Sequence, residues 1–428
     1  MTQVQESSGA PAARPAPVRD GWWGVAVLAL GTFTVVTSEM LPVGLLTPMG
    51  RSLGVPEGVA GLTLTITGLV AALSAPALVP LLGRADRRTA LCALVAVLVV
   101  GNLGAAWAPD FGTMVVARVL VGIGMGGVWA VAAGLAVRLV PARSAGAATS
   151  LVFSGIAVAS VLGVPAGTYL GDLAGWRAAF LAAAGLGLAV LLAAALLLPR
   201  LPAERTVPLG GVLRLTRDPR LRTGLLVVGF LVTGHFAAYT YIRPVLEDVS
   251  GVGAGTIGVL LLVYGTAGVA GNFLAGAGAA RSPRRTLLVI GAVLAPTVGA
   301  LPWLGGSLAL AAVLMAVWGL GYGGVSVSTQ TWVLLAAPDA REAASSLFVA
   351  VFNGAIALGA LAGGLVADGI GITAVTATGA ALVAAALTTA AVGRAPAPAR
   401  PPRSAGPPHP PAPSHEAVRR AVKPYGDR

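Results

Sequence analysis

Glu39 is the residue of this chain best placed to do chemistry, because it is an acid inside an otherwise apolar, helix-length run, VAVLALGTFTVVTSEMLPVGLL (25–46). The chain holds 16 Asp and Glu, and the other fifteen read as lying in tails or between apolar runs. An ionisable group at bilayer depth costs roughly 2.5–3.5 kcal/mol on insertion scales, so one retained there marks a functional site. A single carboxylate of this kind is suited to carrying a proton, taking it up in a dry pocket and releasing it when the pocket hydrates. Arg118 is its natural partner. On helices, Glu39 lies about 26 Å from Trp22 along the first run, and Arg118 roughly 9 Å from the start of the fourth at Gly112, which gives both charges a similar depth. Arg118 would hold the carboxylate ionised in one state and free it in another. Two static readings compete, a fixed Glu39–Arg118 pair and an Arg118 bonded to carbonyls of the first helix. Protons are the expected coupling ion, and no cofactor or metal is expected.

A second set of residues has the types and spacing to hold a solute. Arg118, Gly122, Met125 and Trp129 share one helical face, and Met315, Gly319, Tyr322 and Ser326 repeat it later in the chain. His235 and Tyr239 share a face with Arg243, and both could hydrogen-bond or stack on a planar base, although a lone membrane histidine also serves as a satisfied interhelical donor. Asn353 is a further candidate for substrate contact. Asn102, Asn272 and Gln330 are suited to interhelical bonds, and glycines on such faces more commonly serve helix packing than ligand access. Trp22, Trp23, Trp107, Trp176 and Trp303 stand at the ends of apolar runs, where anchoring at the membrane interface is the expectation.

The elements that must position these residues follow from composition. With 56% hydrophobic residues and only 10% charged, a soluble domain could not cover its apolar surface. Each span needs about 20 apolar residues. Twelve runs qualify, near 22–46, 59–82, 90–107, 112–139, 148–171, 178–198, 223–246, 256–280, 286–305, 307–335, 344–366 and 372–393. The net charge of +12 would point to nucleic acid in a soluble protein, but 24 of the 28 basic residues fall in segments on one side of these runs, with only Arg51 and Arg177 on the other. That asymmetry places both termini in the cytoplasm and excludes nucleic-acid binding as the purpose of the charge. No signal peptide is apparent. Cys92 is the only cysteine, which excludes an internal disulfide. The Pro/Ala/Arg-rich tail after Gly393 reads as disordered, its His409 and His415 as solvated, and its basic residues as able to touch anionic lipid.

An internal repeat gives the architecture. GIGMGGVWAVAAGLAVRLVP (122–141) aligns without a gap on GLGYGGVSVSTQTWVLLAAP (319–338), and the same offset superimposes DRRTAL (86–91) on PRRTLL (283–288). The expectation is an all-α integral membrane protein of two pseudo-symmetric six-helix bundles: an N-tail (1–21), a first bundle (22–198), a central loop (199–222), a second bundle (223–393) and a C-tail (394–428). Such duplication suits a transporter whose site lies between the repeats. The only lysine, Lys423, lies in the tail, so no phosphate-binding lysine in a Gly-rich loop could drive ATP-powered transport. No paired carboxylates, Cys/His cluster or Gly-x-Ser-x-Gly elbow points to an enzyme. A channel or a receptor fits the duplicated halves less well than alternating access does.

Together with the run GVPAG (163–167) and the stretch RVLVGIGMGG (118–127), this pattern resembles the major facilitator superfamily, in particular its drug:proton antiporter branch, over nearly all of 22–393. Gly163, Pro165 and Gly167 match the antiporter motif of the fifth helix, and Arg118 the arginine motif of the fourth. The loop GRADRR (83–88), with Asp86, Arg87 and Arg88, matches the conformational motif between helices two and three, but its Gly and Asp stand only three apart and the second Gly is missing. SEMLPVGLLTPM (38–49), GVAGLTLTIT (58–67), ARVLVGIGMGGVWAVAAGLAVRLVP (117–141) and TYIRPV (240–245) look most like purine ribonucleoside efflux permeases, with sugar and arabinose efflux relatives close behind. The resemblance implies a monomer in the lipid bilayer of a bacterial inner membrane, exporting a small-molecule substrate against protons, with purine nucleosides or analogues as the leading class. Multidrug or antibiotic efflux is the alternative. A chain with 5% aromatics and one buried acid argues for a smaller polar solute.

Overall fold

The computed structural model describes residues 18–82, 85–141, 144–202, 215–338 and 340–396. The expectations for the N-terminal tail, most of the central loop, His409 and His415 lie outside the described residues. Among those described, every regular element is helical. The first half comprises α1 (Val18–Leu53), α2 (Glu57–Leu82), α3 (Arg87–Ala106), α4 (Phe111–Leu139), α5 (Ala145–Val158), a π-helical turn (Ala159–Gly163), α6 (Val164–Ala174) and α7 (Trp176–Leu197). The second comprises α8 (Pro219–Tyr239), α9 (Ile242–Ser250), α10 (Ala254–Arg281), α11 (Pro283–Leu304), α12 (Leu308–Gly323), α13 (Val325–Ala336), α14 (Arg341–Gly369) and α15 (Ala374–Val392). These form 12 stretches long and apolar enough to cross a membrane.

Three expected single runs are interrupted, each for a local reason. The fifth passes through the π-helical turn immediately before Pro165, whose ring cannot donate to the preceding turn. The seventh breaks between Tyr239 and Ile242, where Pro244 withholds the N–H that would have bonded the Thr240 carbonyl. The tenth breaks at Gly324.

The repeat is legible in the packing of its glycines. A Cβ on Gly122 or Gly126 would meet the Thr67 or Ala71 carbonyl of α2, and one on Gly319 or Gly323 the Tyr264 or Gly268 carbonyl of α10. A Cβ on Gly124 would meet Leu94 and Leu98 of α3, and one on Gly321 would meet Leu294 of α11. The glycine face of α4 and α12 is therefore a helix-packing face that brings backbones together, the role small residues play in membranes. Further along, Arg88 donates to the Ala195 carbonyl in the first half and Arg284 to the Ala391 carbonyl in the second. The structural counterpart of Arg88 is thus Arg284, one residue out of the sequence register that pairs it with Arg285.

Two expectations are corrected here. Trp176 is no interfacial anchor: it is 4% exposed and packs edge-on against Phe180 at 5.9 Å, whereas Trp23, Trp107 and Trp303 are exposed. Asp172 and Asp368 lie inside membrane-length helical stretches rather than between them. The helices outrun the apolar pattern because both carboxylates have partners that offset their charge.

Candidate functional site

The first half positions its charges through the close approach of α1 to the helix-5 motif. A Cβ on Gly163, Gly167 or Gly171 would strike Thr37, Leu41 or Leu45, residues at successive turns of α1. Only glycines at this spacing let α1 lie so near, and α1 in turn presents Ser38 and Glu39 in two directions. Ser38 faces α3 and α4. Its hydroxyl accepts from Asn102 Nδ2 at 3.0 Å, and its carbonyl from Arg118 Nη1 at 3.1 Å. The Arg118 guanidinium is fully buried, lies over the Phe180 ring at 4.8 Å, and leaves Nε and Nη2 without a hydrogen-bond partner. Of the two static sequence readings for Arg118, this geometry is the bond to a helix-1 carbonyl. No ion pair joins Arg118 to Glu39 among the described residues.

Glu39 makes no such contact: it is 4% exposed and its Oε1 is buried with no hydrogen-bond partner, on a helix whose next residues, Met40 and Val43, pack into the core of the second half. The Tyr322 hydroxyl is likewise buried and unpartnered. Glu39 Oε1 in the first half and the Tyr322 hydroxyl in the second are thus both orphaned. Buried polar groups left unmade are costly, and those retained call for a proton, water or ligand.

Around His235 the second half gathers five further rings. His235 stacks on Tyr322 with centroids 3.3 Å apart and planes within 10°, and on Tyr239 at 4.9 Å and 22°. Tyr239 stacks on Tyr264 at 4.7 Å, and Trp318 and Phe236 stand edge-on to His235. The Trp318 indole N–H donates to His235 Nδ1 at 3.0 Å, and the Tyr264 hydroxyl lies 3.4 Å from Nε2. Tyr264, Phe236 and Trp318 were missed by sequence reasoning. The available signal was scarcity: the chain has 6 tyrosines, three of which meet here.

At the end of the molecule opposite the N-terminus, a second polar network stitches the halves together. Arg243 on α9 donates from Nε to Glu247 at 3.0 Å, from Nη1 to the Gly44 carbonyl at 2.6 Å and from Nη2 to Asp172 at 3.2 Å. The Thr47 hydroxyl donates to Glu247 at 2.8 Å, and the Gly58 N–H to Asp368 at 2.9 Å. Tyr241 donates to the Ala360 carbonyl at 2.8 Å and lies 3.4 Å from the Gly58 carbonyl. Arg243 therefore points away from the ring cluster, although it shares a chain segment with His235 and Tyr239.

The remaining predicted residues scatter. Met125 is fully buried within the apolar core of the first half, and Trp129 packs partly against that core. Ser326 is exposed on α13, and Asn353 is buried on α14, donating to the Val349 carbonyl. On α12 the residues in the ring cluster are Trp318 and Tyr322 rather than Met315 and Gly319, because the glycine face is taken up by α10. Asp86 caps α3 by accepting from the Thr89 N–H at 3.1 Å, and also holds the Leu201 N–H at 2.7 Å. Its partial burial works against the charge, but bonds from the Thr89, Leu201 and Arg88 backbone overcome this and hold the carboxyl below its usual range. Arg87 donates its backbone N–H to the Leu201 carbonyl at 2.8 Å, so both residues tie the start of α3 to the chain after α7.

Comparison with known proteins places this geometry in context. The family model described as Major Facilitator Superfamily matches residues 28–344. The Transcription regulatory protein OpdE of Pseudomonas aeruginosa PAO1 is 37% identical over 347 residues, covering 80% of this chain and 86% of that protein. The Purine ribonucleoside efflux pump NepI of Salmonella paratyphi B is 34% identical over 337 residues, covering 78% and 84%. NepI of Escherichia coli O6:K15:H31 is 33% identical over 350 residues, covering 82% and 87%. A solved bacterial homologue of the human lysosomal transporter Spinster, in an inward-facing and unoccupied conformation, shares the fold with a TM-score of 0.67 at 16% identity, covering 89% and 96%.

Proposed function

The chain belongs to the major facilitator superfamily and is a multi-pass membrane transporter, not an enzyme; from that premise we propose that it exports a small polar organic solute, a purine nucleoside or analogue, in exchange for protons. The observation that carries this reading is the Glu39 carboxylate, buried with an unpartnered oxygen on α1, the helix whose Met40 and Val43 pack into the core of the second half. A site that both halves build is one that alternating access can expose to either side in turn. Glu39 takes a proton when the pocket opens outward, gives it up inward, and the solute uses the same pocket in the opposite half of the cycle. Arg118 on α4, bonded to the carbonyl of Ser38 next to Glu39, sets the local field. The stacked rings of His235, Tyr239, Tyr264 and Tyr322 suit a flat heterocycle, and the efflux pumps named above support the nucleoside class. With the termini cytoplasmic in a bacterial inner membrane, the network around Arg243 lies on the outer side, closed in this state. The protein works as a monomer.

The test is uptake of radiolabelled inosine into inside-out proteoliposomes on imposing an inward-acid gradient, which should drive accumulation in the wild type. Glu39→Gln should reduce gradient-driven accumulation to background while leaving downhill exchange. Uphill accumulation by that variant at the wild-type rate would remove Glu39 from the mechanism. The ring cluster also favours aromatic antibiotics as a second class, and competition by them with no effect of nucleosides would select it.

A further inference from the structure

His235 looks at first like a second proton carrier beside Glu39, and its hydrogen bonds say otherwise. An indole N–H can only donate. Its bond to His235 Nδ1, at 3.0 Å, therefore requires a lone pair on that nitrogen. A neutral imidazole has one donor and one acceptor, so the proton is on Nε2. The Tyr264 hydroxyl, 3.4 Å from Nε2, must then accept, which leaves its own hydrogen free to donate elsewhere. An imidazolium would turn an Nδ1–H against the indole N–H, losing one bond and orphaning a buried donor. The titratable groups around the ring are Tyr239 on its own helix, Tyr264 on α10 and Tyr322 on α12.

We propose that Trp318 is a positioning residue that fixes His235 as its neutral Nε2–H tautomer, making His235 a specificity-determining hydrogen-bond donor for a flat nitrogen heterocycle and not a carrier of the coupling proton. The proposal rests on the reading of the ring cluster as the substrate site. The ring of Tyr322 lies face to face on His235 at 3.3 Å, so the imidazole face is covered and its Nε2 edge is the part a solute can engage. A heterocycle would meet His235 at its edge, taking the Nε2–H on a ring acceptor in place of the Tyr264 hydroxyl that lies 3.4 Å away, while Tyr322 stays on the imidazole face. Division of labour follows: Glu39 moves the proton, and the histidine reads the solute.

The experiment uses the full chain in nanodiscs with 15N-histidine and the tail residues His409 and His415 changed to Gln, which leaves one labelled ring. Expected is a single Nε2–H tautomer in the parent and a mixture in Trp318→Phe, a change that keeps the ring but removes the donor. In proteoliposomes, Trp318→Phe and His235→Ala should raise the KM for inosine roughly tenfold with the protons exchanged per solute unchanged. His235→Gln, which keeps a donor near Nε2, should recover part of that loss. A proton on Nδ1 in the parent would overturn the proposal, as would a His235→Gln variant that binds inosine normally but no longer couples to the gradient. If the parent transports no nucleoside at all, the substrate reading falls, and the tautomer measurement still decides the role of Trp318.

Discussion

Where α4 carries Arg118, Met125 and Trp129, the repeat gives α12 and α13 Met315, Tyr322 and Ser326. The glycines between these positions pack against equivalent partners in both halves, α2 and α3 in one, α10 and α11 in the other. Their frames are therefore alike, while the residues between the glycines have diverged. The first half buries charge, with Arg118 and Glu39 offset by little more than one carbonyl and a ring. The second half buries rings, and Trp318, Tyr322 and Tyr264 close around His235. A duplicated scaffold can thus split the work of a transporter, since packing constrains the glycine face and leaves its neighbours free to specialise.

The comparison can be broken most severely at the network that joins the halves. Arg243→Ala strands Asp172, which is 13% exposed, without its cation. Removing one partner of a buried pair costs about 3 kcal/mol or more, and thermal unfolding in detergent should show a clear loss. An unchanged midpoint would mean that the halves are held elsewhere. Next is the shared frame. Gly323→Ala drives a methyl into the Gly268 carbonyl and should cost about 1–3 kcal/mol. Gly354→Ala, with open space at its Cβ, should cost nothing by the same assay. The specialisation itself is tested by Tyr322→Met, which gives α12 the residue α4 carries. Loss of an aromatic stack is worth about 0.5–1.5 kcal/mol, so inosine binding by calorimetry should weaken by up to about tenfold.

The smallest effect concerns the helix cap that only the first half makes with a carboxylate. Asp86 caps α3, and Ser282 caps α11 through its hydroxyl. Asp86→Ala should cost about 1 kcal/mol near neutral pH. Because the folded carboxyl titrates below its usual range, its contribution is whole above the ordinary carboxylate value and is lost as pH falls through the folded one. The deficit of the variant should therefore vanish in acid, whereas a Ser282→Ala deficit should not change with pH. Equal pH profiles for the two would refute the difference between the caps.

Much of this protein could be read before folding it. Twelve membrane-length runs, the duplicated halves and the buried positions of Glu39 and Arg118 all follow from local pattern, because lipid demands continuous apolar helices and makes each charge within them conspicuous. His235, Tyr239 and Tyr322 were visible as polar rings on helix faces. What pattern could not supply was direction. Ser38 and Glu39 are neighbours in the chain, yet Ser38 bonds Asn102 and Arg118 while Glu39 Oε1 has no partner, because glycines 163, 167 and 171 set how α1 lies against α6. Trp318 and Tyr264 come from helices distant in sequence, and their bonds to His235 exist only once α10 and α12 close on α8. Asp172 looked like a loop residue until Arg243, 71 positions away, reached it. Helices and their depth are local consequences of a chain in lipid, whereas which side chains share a pocket depends on how rigid helices settle against one another, and periodicity carries no record of that.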